Sequence, residues 1–144
     1  MQSLPMHTFR QGLFSLVLAV SVTGVQAEPF KLQCEVEGRL SESSSAIAPA
    51  RVVVEIQAIG RHLYFNVVGP PMYAMRMSTL ETEEFKGENL TSGLQLGARR
   101  VERRTQTETQ LLIERTTMEL SVHADVQHAG KAQRFSYTGK CRPQ

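Results

Sequence analysis

The sequence predicts an all-β protein: a small antiparallel β-barrel or sandwich whose first and last strands are joined by a disulfide. Three observations predict it. Segments of alternating apolar and polar residues recur along the chain, broken by turn residues roughly every 8 to 12 positions, which is the spacing of short antiparallel strands. The two cysteines, Cys34 and Cys141, lie towards opposite ends of the chain and on the apolar face of their segments. Residues 1–27 have the make-up of an export signal, which would deliver the rest to a compartment where disulfides persist.

In that leader Arg10 supplies the positive charge, residues 13–22 form an apolar run, and Val25-Gln26-Ala27 offers small residues at the positions read by a signal peptidase. The run is too short to cross a bilayer as a helix, which takes about 20 apolar residues. The mature chain is expected to begin at Glu28, with residues 28–144 forming one β domain, periplasmic or secreted, and no transmembrane segment left after cleavage. Lys and Arg number 16 against 14 Asp and Glu, and losing Arg10 brings the two closer to balance. No global field then favours nucleic acid or an anionic membrane surface. An even cysteine count in an exported domain implies pairing of Cys34 with Cys141. Closing a loop of about 100 residues contributes on the order of 4 to 5 kcal/mol in the chain-entropy model. There is no C-x-x-C for redox work, and Lys31-Leu32-Gln33 before Cys34 is not a lipidation box.

Residues 30–37 (FKLQCEVE) alternate without a miss and put Cys34 on the buried face; Gly38 is read as the end of this strand, and the Ser- and Ala-rich residues 41–49 as a loop. Residues 51–59 (RVVVEIQAI) are dense in β-branched side chains and place Val52, Val54, Ile56 and Ala58 on one side. Gly60-Arg61 makes a turn, and residues 62–68 (HLYFNVV) return with Leu63, Phe65 and Val67 inward, a hairpin. Gly69-Pro70-Pro71 interrupts the sheet because prolines donate nothing to a ladder. Residues 72–79 are expected to resume as a strand. Residues 81–97 read as a long connection or an edge hairpin; a short helix over 94–104 is the competing reading, opposed by two glycines and by the lack of a 3.6-residue period.

Residues 110–115 (QLLIER), a Thr116-Thr117 turn and residues 118–127 (MELSVHADVQ) read as two antiparallel strands, the second with Met118, Leu120, Val122, Ala124 and Val126 on one face. A turn around Gly130 leads to residues 132–141 (AQRFSYTGKC), with Phe135, Tyr137 and Cys141 on one side. Both cysteines thus share a face with core aromatics, as a buried bridge between the terminal strands requires. Joining those strands would also protect a sheet edge.

The N-terminal F-K-L-Q-C, the late I-E-R-T-T-M-E-L hairpin and the final F-S-Y-T-G-K-C resemble small exported proteobacterial proteins of unassigned function. In outline the chain is also similar to the periplasmic inhibitors of C-type lysozyme (the MliC-like class), β-barrels with a cysteine near each end. That class carries a Ser-Gly-x-Arg-Tyr loop; the nearest stretch here is Ser92-Gly93-Leu94-Gln95, so no functional residue is carried over.

The densest charge cluster is residues 99–104 (RRVERR). Arg99, Arg100, Arg103 and Arg104 form a candidate patch for an anionic partner, since guanidinium forks suit phosphate, sulfate and carboxylate. In a strand Arg99, Val101 and Arg103 share one side and Arg100, Glu102 and Arg104 the other, so the competing reading is a solvated, charge-guarded edge. Without aromatic stacking platforms nearby, nucleic acid is not an expected partner. Met72, Met75 and Met77 suit Cu(I) as soft ligands, or else pack as adaptable apolar side chains; a strand would converge only Met75 and Met77. His123 and His128 with Asp125 lack the spacing of a zinc helix or finger, and His62 begins another strand; all three read as surface histidines. Asn89-Leu90-Thr91 matches a glycosylation sequon, relevant in a eukaryotic host. No G-x-S-x-G, H-E-x-x-H or paired-acid motif is present, and no cofactor is implied. The sequence therefore points to an exported non-enzymatic β domain that binds a protein or an anionic envelope component. The alternative is a carrier of a small ligand or of copper.

Overall fold

A computed structural model describes residues 28–41, 46–128 and 130–144. The expected signal segment 1–27 lies outside the described residues. Nine strands make one antiparallel sheet: β1 (Phe30–Leu40), β2 (Ala46–Ile59), β3 (His62–Val68), β4 (Met75–Ser78), β5 (Phe85–Asn89), β6 (Gln95–Glu102), β7 (Thr107–Glu114), β8 (Glu119–His128) and β9 (Lys131–Pro143). The spatial order is β4-β3-β2-β1-β9-β8-β7-β6-β5, which curls into a nearly closed barrel. Between barrel and sandwich, the barrel is what forms. Every hydrogen-bonded neighbour is antiparallel, and eight reversals bring β4 and β5 back running the same way. Antiparallel pairing therefore cannot close the last gap. Residues 79–84 bridge it, with the backbone of Thr79 and Leu80 so close to Gly87 that a Cβ there would lie 2.5 Å from the Thr79 carbonyl oxygen.

The alternation in the sequence becomes the inner face of the barrel. Leu32, Cys34 and Val36 on β1, Val52, Val54 and Ile56 on β2, and Phe65 and Val67 on β3 are all buried. Leu111 and Ile113 on β7, Leu120 and Val122 on β8, and Phe135 and Tyr137 on β9 complete the core. Cys34 and Cys141 face each other directly across the β1–β9 ladder and are disulfide-bonded. The staple thus joins the first and last strands. A disulfide belongs to an oxidising, extracytoplasmic compartment.

Four local expectations are corrected. Gly38 does not end β1, which runs on to Leu40; the glycine is a point of close approach, since a Cβ there would meet the Phe135 ring at 2.8 Å. Residues 46–49 are strand, not loop: β2 starts at Ala46 and passes a register shift opposite Val36 and Gly38, where Pro49, lacking a donor, can sit without costing a ladder bond. β4 begins only at Met75, because residues 71–73 are held in a turn in which the Tyr73 and Ala74 amides donate to the Pro70 carbonyl (2.9 and 3.1 Å). Residues 85–102 form an edge hairpin, β5 and β6, so the helical reading of 94–104 fails. The β6–β7 and β7–β8 turns close on Gln106 and Met118, both in the left-handed region (φ 60° and 59°), a conformation that neither residue type announces.

Candidate functional site

Cross-strand register explains where the barrel has room. One inward row, Val36–Gly139–Leu120–Ile113–Leu96, is filled by branched apolar side chains packing over Gly139. Four residues further along each strand the row is Leu40–Phe135–Ala124–Thr109–Arg100. Between the large Phe135 and Arg100 it offers only the short Ala124 and Thr109. The result is a cavity of about 320 Å³ at this end of the barrel, at the lower end of the range for small-molecule sites.

The opposite wall is the turn after Gly69-Pro70-Pro71. It inserts Tyr73 into the barrel, where its ring packs edge-on against Tyr137 (5.0 Å between centroids) and tilted against Phe135 (5.8 Å). The Tyr73 hydroxyl donates to the Ala48 carbonyl (2.7 Å) beside the β2 irregularity, and the Tyr137 hydroxyl donates to the Tyr73 carbonyl (3.0 Å). Burial raises the pKa of both phenols, so both remain protonated donors. With these hydroxyls engaged and the rings almost wholly buried against one another, the aromatic cluster is the packed floor of the cavity. Met72 and Met75 complete it, whereas Met77 is buried opposite Phe65, so the three thioethers do not all line this cavity.

The four arginines of the candidate patch are placed in three settings. Arg99 is on the outer face in an ion network: it pairs with Glu108 through Nε and with Glu88 (3.3 Å), while Arg134 pairs with Glu108 (3.4 Å) and Asp125 (3.2 Å). Its pKa is raised above the ordinary arginine value, first by the hydrogen bond to Glu108. Arg103, in the β6–β7 turn, borders the same outer cleft and pairs with Glu81 (3.4 Å). Arg104 is exposed among Glu83, Glu84 and Glu102. Arg100 alone points inward. Its guanidinium carbon lies 4.6 Å from the centre of the Phe85 ring, and among the described residues no carboxylate comes within ion-pair distance of it. Burial lowers its pKa from the ordinary value, opposed by the charge of Glu102. It also borders a second cleft of about 370 Å³ with Glu55, Tyr64 and Arg76.

His123 is not the exposed histidine that outward alternation predicts. It is half-buried beside Glu108, its Nε2 buried with no hydrogen-bond partner among the described residues. Its pKa is lowered, first by burial and then by Arg134, with Glu108 and Asp125 opposing. At neutral pH it is uncharged, so its approach to Glu108 (3.9 Å) is not an ion pair. His62 Nδ1 shares a hydrogen bond with the Thr79 hydroxyl (3.3 Å). Among the described residues no group of three His, Cys, Asp or Glu side chains is placed to hold a metal ion.

Charge density in the sequence points to Arg100, whereas nothing comparable singles out Thr109, Ala124 and Tyr73. The available signal was the pair of short residues at inward positions in otherwise large apolar strands. No family model, curated protein or solved structure matches this chain.

Proposed function

We propose that the protein is an exported, non-enzymatic binding domain, periplasmic or secreted, that holds a protein or envelope component by an anionic group at Arg100. The observation that carries this reading is a half-buried guanidinium at the rim of an apolar cavity, with no carboxylate at ion-pair distance among the described residues. Arg99 and Arg103 are already engaged by carboxylates of the chain itself. A ligand would have to displace those acids first, whereas at Arg100 an incoming anion meets a charge that burial has partly stripped of water, where a hydrogen-bonded pair is strongest.

The disulfide-bonded protein, immobilised and exposed to detergent-solubilised cell envelope at low salt, tests the reading. A component retained by the wild type should be lost with Arg100→Gln and kept with Arg104→Gln. Equal retention by all three proteins would remove Arg100 from the interface and the reading with it.

A further inference from the structure

We infer that the cavity end of the barrel is a site for a single aliphatic chain bearing a terminal carboxylate, the chain lying between Met72, Met75, Ala124 and Val126 over the buried aromatic floor and the carboxylate on Arg100. This rests on the binding function proposed for the same site and names its ligand class. Three features select that class. The wall is aliphatic and thioether surface, with Ala124 and Val126 beside Phe135 on the inner face and Met72 and Met75 across from them. The phenolic hydroxyls that would otherwise recognise a polar body are already bonded to backbone carbonyls, so a sugar or peptide amide entering here would leave its own polar groups unpaired.

Charge is the second feature. Among the described residues Arg100 is the one cation on the cavity wall, and no Glu or Asp lines it, so one negative charge is complementary. Thr109 is the direct ladder partner of Arg100 on the same inner row, which puts a hydroxyl donor beside the guanidinium. A carboxylate has two oxygens to accept from this pair. The third feature is size. A cavity of about 320 Å³ suits one chain and not the two or more of a membrane phospholipid, and barrels of eight or so strands have interiors wide enough for one small ligand. The head group sits at the rim, so a free fatty acid fits, whereas an acyl chain esterified through its carboxyl in an envelope lipid has no carboxylate to offer Arg100.

The test is titration calorimetry on the disulfide-bonded protein, freed of co-purified lipid, with dodecanoate, dodecanol and dodecylamine below their aggregation concentrations. Dodecanoate should bind with one-to-one stoichiometry. Arg100→Gln should weaken it about tenfold to a hundredfold while leaving dodecanol little changed, and dodecylamine should bind weakest to the wild type. Ala124→Phe, which fills the cavity, should abolish binding of both dodecanoate and dodecanol. Ala124→Leu provides a milder filling, and the thermal midpoint of each variant checks that it is folded. Failure of dodecanoate to bind, or equal binding to wild type and Arg100→Gln, overturns the carboxylate assignment; unaltered binding in both folded Ala124 variants overturns the location. If envelope capture depends on Arg100 while dodecanoate does not bind, the ligand class falls and the binding function stands. Capture independent of Arg100 alongside Arg100-dependent dodecanoate binding gives the reverse.

Discussion

The two ends of the barrel are built from the same strands and differ in what their inward rows carry. At the stapled end Leu120, Ile113 and Val36 are almost wholly buried and the Cys34–Cys141 bridge lies in the adjoining row. About 13 Å along the strands, at some 3.3 Å per residue, the corresponding positions are Ala124, Thr109 and Arg100. The first set excludes water and holds the fold together. The second leaves a void and carries a charge, at a cost in stability that a binding site requires and a core does not. Stability and binding are thus separated along the barrel axis, which makes each testable without the other.

The largest expected effect is at the staple. Cys34→Ser or Cys141→Ser should cost about 2 to 5 kcal/mol, read as a lower denaturant midpoint, without altering a residue that lines the cavity. In the native protein, thiol reagent should titrate no cysteine until reductant is added; two titrating thiols in the folded exported protein would contradict the bridge. Next comes a matched pair of substitutions. Leu120→Ala in the filled row should cost about 2 to 5 kcal/mol, whereas Ala124→Leu in the cavity row should shift stability by less than about 1 kcal/mol, because the side chain enters existing space. A large penalty for Ala124→Leu would mean that the cavity end is as tightly packed as the stapled end.

A smaller effect separates the inner face from the outer one. His123 has a folded-state pKa below its unfolded value, so the unfolded chain takes up the proton first as pH falls. Its contribution to stability is complete above about pH 6.5 and is lost as pH drops through the lowered folded value. The thermal midpoint should therefore fall between pH 7.5 and pH 5, and His123→Gln should remove part of that fall; an identical pH profile in the variant would show that Glu108 and Asp125 hold the imidazolium as well as water does. The smallest effect is at the β6–β7 turn beside the cavity end. Gln106→Gly relieves a left-handed conformation that costs about 1 kcal/mol in an L-residue but loosens the unfolded chain, for a net gain of a few tenths of a kcal/mol in chemical denaturation. A loss above about 1 kcal/mol would show that the Gln106 hydrogen bond to the Arg103 carbonyl (2.8 Å) outweighs the backbone strain.

Much of the fold was legible because a strand sends alternate side chains to opposite faces, so Leu32, Cys34 and Val36, or Leu120 and Val122, identify their side from spacing alone. Two of the differences share one cause. Gly38 and residues 46–49 look like punctuation locally, yet Gly38 is set by the Phe135 ring above it, and β2 is carried past Pro49 by pairing with β1. Residues 85–102 lack a strong apolar alternation because β5 is an edge of the sheet and one of its inward residues is Gly87. The opposite sides taken by Arg99 and Arg100 follow from their adjacency in a strand. Which side would be the interior does not.

The sequence by itself determined that the domain is a stapled antiparallel β structure, because side-chain alternation and a pair of cysteines on inward positions are fixed by the two-residue repeat of a strand, which tertiary contacts do not change. Only the tertiary structure decided that Arg99 joins the Glu108 network while Arg100 enters the barrel, and that Ala124 and Thr109 lie between Phe135 and Arg100. Those outcomes depend on cross-strand register, which brings together residues far apart in the chain and sets, row by row, whether the interior is filled or open.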